Sequence, residues 1–189
     1  MLKQGGAGVT LVEMMIGLVI ISSLLLVGMP SFSLWIQDVQ IRGAAESVQS
    51  ALLLARSEAI RRNRPVRLVL QDAGGLLEWQ VGCVNSAADC PVNIARRSRN
   101  EGGRNARMAA GADADAASLS RPLAPGSGLP VVIVFNGLGA IVGAAPGRIE
   151  ISHAALGGAR RLAVIISSGG LIRLCNPALA QASSPRGCA

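Results

Sequence analysis

Residues 8–30 read GVTLVEMMIGLVIISSLLLVGMP, and the role of every later segment depends on this stretch. From Val9 to Met29 it is almost unbroken in apolar character. As an α-helix rising ~1.5 Å per residue it reaches roughly 31 Å, enough to cross a bilayer core. Its one charge is Glu13. A carboxylate near one end of such a span costs a few kcal/mol unless it is paired or neutralised, so its presence marks a function. The small residues Gly5-Gly6-Ala7-Gly8 precede the apolar run instead of following it. That is the reverse of an ordinary secretory signal peptide, and the span is expected to survive processing.

Half of the 189 residues are hydrophobic, which fits one modest globular domain plus one membrane element. Phe32, Trp35, Trp79 and Phe135 are the whole aromatic complement, so a core must be packed from Leu, Ile, Val and Ala. The formal charge is +7, and loss of residues 1–8 would remove only Lys3. Such an excess favours polyanions, either nucleic acid or anionic lipid headgroups. Cys83, Cys90, Cys175 and Cys188 form two sequence-local pairs. Three pairings are open; local closure, Cys83 with Cys90 and Cys175 with Cys188, asks least of the long-range topology. Zinc would want closely spaced ligand pairs that these spacings do not supply. Disulfides imply an oxidising compartment.

The run Gly8-Val9-Thr10-Leu11-Val12-Glu13 resembles the prepilin peptidase site of type IV pilins and type II secretion pseudopilins. The resemblance implies a leader of residues 1–8, cleavage after Gly8 and an N-methylated Val9, which stands where the family most often has Phe. It makes Glu13 the fifth mature residue and puts Pro30 where pilins commonly carry a helix-bending proline. The physics agrees. A buried carboxylate four residues from a free α-amine can be neutralised by the amine of a neighbouring subunit, and both groups then leave water together.

After Pro30, Ile41, Ala44, Ala45, Val48, Leu52, Ala55 and Ala59 recur at steps of three and four, the signature of one face of an amphipathic helix. It is expected to end near Arg61-Arg62-Asn63, before Pro65. The chain is thus read as a transmembrane helix over 9–29, the amphipathic half of the same helix over 30–62, and a β-rich head over 63–189. In the head, Val66–Leu70 and Leu76–Val84 read as strands about a turn at 72–75. Residues 92–128 read as an exposed loop with room for one short strand. Val131–Phe135, Asn136-Gly137 and Leu138–Val142 read as a hairpin. Arg148–His153, Arg161–Ile166 and Leu171–Cys175 complete the strands. The fold class is α+β, a long N-terminal helix packed on an antiparallel sheet or sandwich. Ala55-Arg56-Ser57-Glu58-Ala59-Ile60-Arg61-Arg62, Phe135-Asn136-Gly137-Leu138-Gly139 and Arg173-Leu174-Cys175 are similar to the stem and head of the GspH/FimT family.

No catalytic set emerges. His153, the one histidine, sits on a strand with a surface or strand-end role expected, and nothing brings a serine and an aspartate to it. Gly137-x-Gly139 lies between strands and is turn chemistry, not a dinucleotide loop. No cofactor and no metal are implied. Arg96, Arg97, Arg99, Arg104 and Arg107 form the densest basic cluster, to which Arg160, Arg161 and Arg173 could add. Some proteins of the resembled family bind DNA through Gly-Arg-x-Arg; the matching stretch Gly170-Leu171-Ile172-Arg173 keeps only the second arginine. Each lost phosphate contact removes part of an affinity built on counterion release, and scarce aromatics cannot replace it by stacking. The resemblance therefore implies a minor pilin held in the inner membrane with a periplasmic head and built into a pilus. Its partners would be prepilin peptidase and other major and minor pilins or pseudopilins. A pseudopilin of type II secretion and a DNA-binding pilin are the alternatives.

Overall fold

The computed structural model describes residues 9–71, 75–101, 105–153 and 160–188, with backbone alone described at 27–31, 33 and 34. Helix α1 runs from Leu11 to Arg62, 52 residues. It starts at Thr10, whose carbonyl takes the Met14 amide at 3.2 Å as the first intrahelical bond while its hydroxyl accepts from the Glu13 amide at 3.3 Å, so one otherwise orphaned donor of the first turn is satisfied. It stops at Asn63, which adopts φ 49°. There the Arg64 amide reaches back to the Ala59 carbonyl and the Asn63 amide to that of Ile60, the paired bonds of a Schellman closure. The helix continues through residue 30, and the Pro30 side chain lies outside the described residues. By its contacts the chain divides into two units, Met1–Ile36 and Gln37–Ala189.

In the second unit the helix buries the face read from periodicity, Ile41, Ala44, Ala45, Val48, Leu52, Ala55 and Ala59, together with Ala51. They share one core with two antiparallel sheets. The first has the order β3-β2-β1-β5-β6, where β1 is Val66–Gln71, β2 Glu78–Cys83, β3 Ala95–Arg97, β5 Val131–Phe135 and β6 Ile141–Val142. The second has the order β4-β7-β8-β9, where β4 is Ala106–Gly111, β7 Arg148–His153, β8 Leu162–Ile166 and β9 Ile172–Cys175. Its register sets Ile149, Val164 and Leu174 in one cross-strand row and Glu150, Ala163 and Cys175 in the next. Period-two alternation turns the first row to the shared core and the second outward.

Two expectations are corrected. Residues 92–128 are not an exposed loop. They hold β3, β4 and the short helix α2, Ala116–Ser120, and Met108, Ala109 and Ala110 of β4 are buried. The β4 strand escapes a reading by alternation because its outward face is also covered, by the segment through α2, so small residues serve on both sides. The second correction concerns the hairpin, which is not closed on Asn136-Gly137 alone. Phe135 pairs with Ile141, and Asn136–Ala140 form the loop, with Asn136 Oδ1 accepting from the Leu138 and Ala140 amides at 3.0 Å. Gly139 takes the positive φ of 77°. Gly137 is needed for close approach, since a Cβ there would stand 2.3 Å from Asn63 Oδ1.

Both sequence-local cysteine pairs are bonded, Cys83 to Cys90 and Cys175 to Cys188. The second ties residues 176–188 to the outward face of β9, where Cys175 and Cys188 join Leu119 and Ala163 in a small buried cluster. Changing Cys175 and Cys188 together to serine is expected to cost about 3 kcal/mol, the order predicted for closing a loop of this length. It should also open the tail to protease. A denaturant midpoint equal to that of the parent would contradict this.

Candidate assembly site

The first unit is helix with no cover of its own. Every described aliphatic side chain from Leu11 to Leu26 is exposed, Leu11 at 76% and Leu26 at 77%. The two hydroxyls inside the run are already satisfied. Ser22 Oγ donates to the Leu18 carbonyl at 2.7 Å and Ser23 Oγ to that of Ile20 at 2.8 Å, so Glu13 is left as the side chain whose polarity an apolar surrounding would penalise. Within the described side chains no helix is long and apolar enough to cross a membrane. Those side chains stop at Leu26 within the run, short of the ~20 residues a span needs, and the apolar sequence continues to Met29. Val9 is exposed at 67%; Gly8 lies outside the described residues.

Two of the segments that carried the resemblance, on the stem and in the hairpin loop, meet beside the turn that leads into the third. Arg56 on the stem helix donates from Nε to the Gly139 carbonyl at 3.1 Å. Gly170, at φ 80°, packs so closely on that carbonyl that a Cβ would stand 2.1 Å from its oxygen and 3.2 Å from Arg56 Nε. The helix, the loop 136–140 and the turn 167–170 are thus locked together, and the glycines are there because nothing larger fits. Two residues further along, Glu58 binds Arg61 and Arg62, each at 2.7 Å. The Arg61 hydrogen bond holds the Glu58 carboxyl below its ordinary range, with Arg62 adding to it and burial opposing. This pairing contributes stability that is fully present above the ordinary carboxylate value and is lost as pH falls through the lower folded one.

The basic residues divide. Arg96 and Arg97 lie on the edge strand β3, opposite Gln80 and Trp79, and Arg99 is exposed in the turn beyond. Arg97 is bound to the Glu101 carbonyl. Arg107 lies on β4 and Arg173 on β9, the two opposite edges of the second sheet. Arg173 donates to the Cys188 carbonyl, Arg160 pairs with Asp38 at 3.3 Å and Arg161 is taken by Glu150. Arg104 lies outside the described residues. The structure therefore groups Arg96, Arg97 and Arg99 and sets Arg173 apart from Arg107, with the guanidiniums of Arg160, Arg161 and Arg173 engaged within the chain.

Sequence reading missed a buried ionic cluster. Glu150 is 2% exposed and Arg148 4%. Glu150 meets Arg148 at 3.3 Å and Arg161 at 3.1 Å and accepts the Leu123 amide at 3.0 Å. Arg161 also donates to the Leu119 carbonyl at 2.7 Å. These bonds pin the segment 119–123 onto the outward face of the second sheet. Arg148 and Glu150 stand two apart on β7, and nothing local in the sequence announces the cover over them. His153 is likewise at a strand end but buried, at 8% exposure.

Comparison with known proteins accords with this geometry. The family model described as type II transport protein GspH matches residues 44–170, two thirds of the chain. No curated protein matches it at a significant level. Among solved structures, the chain is similar to the Pseudomonas aeruginosa type IV minor pilin FimU in two crystal forms. One has 18% identity and TM-score 0.46, covering 78% of this chain and 99% of that one; the other has 17% and 0.48, covering 79% and 95%. It is similar also to the minor pseudopilin EpsH from the type 2 secretion system of Vibrio cholerae, with 14% identity and TM-score 0.51, covering 74% of this chain and 99% of that one. With the long helix, the two antiparallel sheets and the family match over stem and head, the chain belongs to the GspH family of minor pilin-like proteins.

Proposed function

We propose that this chain is a minor subunit of a type IV pilus, clipped after Gly8, N-methylated at Val9, and held in the inner membrane by residues 9–29 until it enters the filament, where it takes part in initiating assembly near the tip. The observation that carries this reading is a helix whose first unit leaves all its described aliphatic side chains exposed, with Glu13 the one carboxylate among them. Such a surface needs lipid before assembly and other helices after it, and the carboxylate needs a cation. The domains implied by it are a leader over 1–8, an anchor over 9–29, the rest of the stem over 30–62 and a periplasmic head over 63–189. Prepilin peptidase and other pilins are the partners. The test is mass spectrometry of the chain recovered from membranes. It should begin at a methylated Val9; a chain beginning elsewhere removes the proposal.

The likeness to EpsH favours a second reading, a minor pseudopilin of type II secretion. Deletion in the source organism separates the two: loss of surface fibres supports the first, and loss of secreted exoprotein supports the second. DNA capture draws support from the grouping of Arg96, Arg97 and Arg99 on and beside β3, to which Arg173 on β9 of the other sheet does not add.

A further inference from the structure

The first sheet ends on β3. On one side this strand pairs with β2, Trp79 opposite Arg97, Gln80 opposite Arg96 and Val81 opposite Ala95. On the other side the sheet order stops, and among the described residues Ala95, Arg96 and Arg97 make no backbone hydrogen bond outside the β2 pairing. An edge of this kind is a template for one more strand.

The edge is also held in place. The Cys83–Cys90 bond closes the loop that leads into it, the Cys83 amide donates to the Pro91 carbonyl at 3.0 Å, and the Ile94 amide donates to the Val81 carbonyl at 2.8 Å. Gly82 is bare because a Cβ there would stand 1.6 Å from the Val92 oxygen. Past the strand, Arg97 Nε donates to the Glu101 carbonyl. A strand fixed on both flanks loses little freedom when a partner is added, which favours binding.

Charge and shape select the partner. Arg96 and Arg99 are exposed, and among the described residues no carboxylate pairs with Arg96, Arg97 or Arg99. Such an edge repels a second copy of itself and attracts a strand of opposite sign. Beside it a cleft of about 120 Å³ is bounded by Gln71, Glu78, Trp79, Gln80, Arg96 and Arg97. That is well under the ~300 Å³ at which small-molecule sites begin, and it suits a single side chain. Duplex DNA fits less well. Three arginines neutralise about three phosphates, against the roughly 6–10 of a strongly salt-dependent DNA binder, and Glu78 stands in the cleft.

We infer that β3 is a docking edge for an extended, acidic segment of another protein, which adds as a further strand of the first sheet, sets its carboxylates against Arg96 and Arg99, and lodges one side chain in the cleft beside Trp79. Main-chain hydrogen bonds supply the affinity, while the arginines and the cleft supply the choice of sequence. The inference is independent of the filament reading, because every residue it uses belongs to the head.

The test titrates the full chain, in an uncharged detergent, into a fluorescent peptide of alternating aspartate and valine about ten residues long, and reads anisotropy. Saturable binding is expected. It should weaken by about tenfold or more in Arg96→Glu, and likewise when alternate peptide amides are N-methylated, which removes strand hydrogen bonds but keeps the charge. Arg99→Glu repeats the reversal in the turn beyond the strand and should weaken binding in the same direction, so the outcome does not hang on the folding of one variant. Arg186→Glu, the same charge change on the exposed tail, should leave binding as it was. Absence of binding, undiminished binding by Arg96→Glu and Arg99→Glu, or equal binding of the N-methylated peptide overturns the inference. So does a DNA duplex that binds more tightly than the peptide and is released by the same two reversals, which assigns the arginines to nucleic acid.

Discussion

Replacing Glu13 with alanine is expected to leave the chain processed and folded while cutting its incorporation into filaments by about tenfold or more. Within one chain the carboxylate is nearly dispensable. It sits in the first turn of α1, where the amide it contributes is already held by Thr10, and the favourable interaction of an acid with a helix N-terminus is worth only about 0.3–1 kcal/mol. In an apolar surrounding the same group costs a few kcal/mol unless a cation meets it, and the α-amine exposed at Val9 of a neighbour is the cation the proposed processing creates. Removing the acid therefore removes a term that exists only between subunits. The measurement is the ratio of sheared-fibre to membrane-retained protein. Undiminished incorporation of Glu13→Ala would show that the pairing contributes nothing, and Glu13→Asp, with its shorter reach, should fall between the two.

The largest effect on stability is expected at Glu150. Truncation to alanine leaves Arg148 and Arg161 facing each other under cover, and breaking a buried ion pair by removing one partner costs about 3–5 kcal/mol. For a chain of this size that corresponds to a melting point lower by roughly 10 °C. The triple replacement Arg148→Met, Glu150→Leu, Arg161→Met should recover most of the loss, because well-packed apolar groups often do as well as a buried ionic cluster. A single Glu150→Ala variant as stable as the parent would show that water reaches the two arginines. Protease sensitivity should appear first within residues 112–130, the segment the cluster holds down.

These effects also mark which parts of the molecule are legible in its sequence. The stem helix could be read because a single face of a 3.6-residue period is buried, and Ile41 through Ala59 are where that period places them. Strands β1, β5 and β8 could be read because they are largely aliphatic runs punctuated by turns, and β7 because Ile149 and Ile151 alternate with polar residues. Strand β4 could not, because Ala109 and Ala110 are buried on both faces and alanine carries little periodic contrast. The five-residue hairpin was hidden because Asn136-Gly137 commonly closes shorter loops, whereas here Asn136 Oδ1 holds a longer one by accepting from the Leu138 and Ala140 amides. The joining of Arg56 to Gly139 and Gly170 brings together positions far apart in sequence. Motif likeness marked the stem and the hairpin loop without revealing that they touch. Glu150 went unseen because two of its partners, Arg161 and the Leu123 amide, reach it from outside its own strand.

The outward row Ala109, Glu150, Ala163 and Cys175 is kept dry by the segment leading through α2 and Leu123. A homologue in which that segment is shortened would have this row wetted. Its positions should then drift together toward threonine, lysine and serine, and its C-terminal cysteines should be lost as a pair. Insertion length between β4 and β5 thus becomes a marker by which sequence collections can be sorted into lineages with a roofed and an open second sheet.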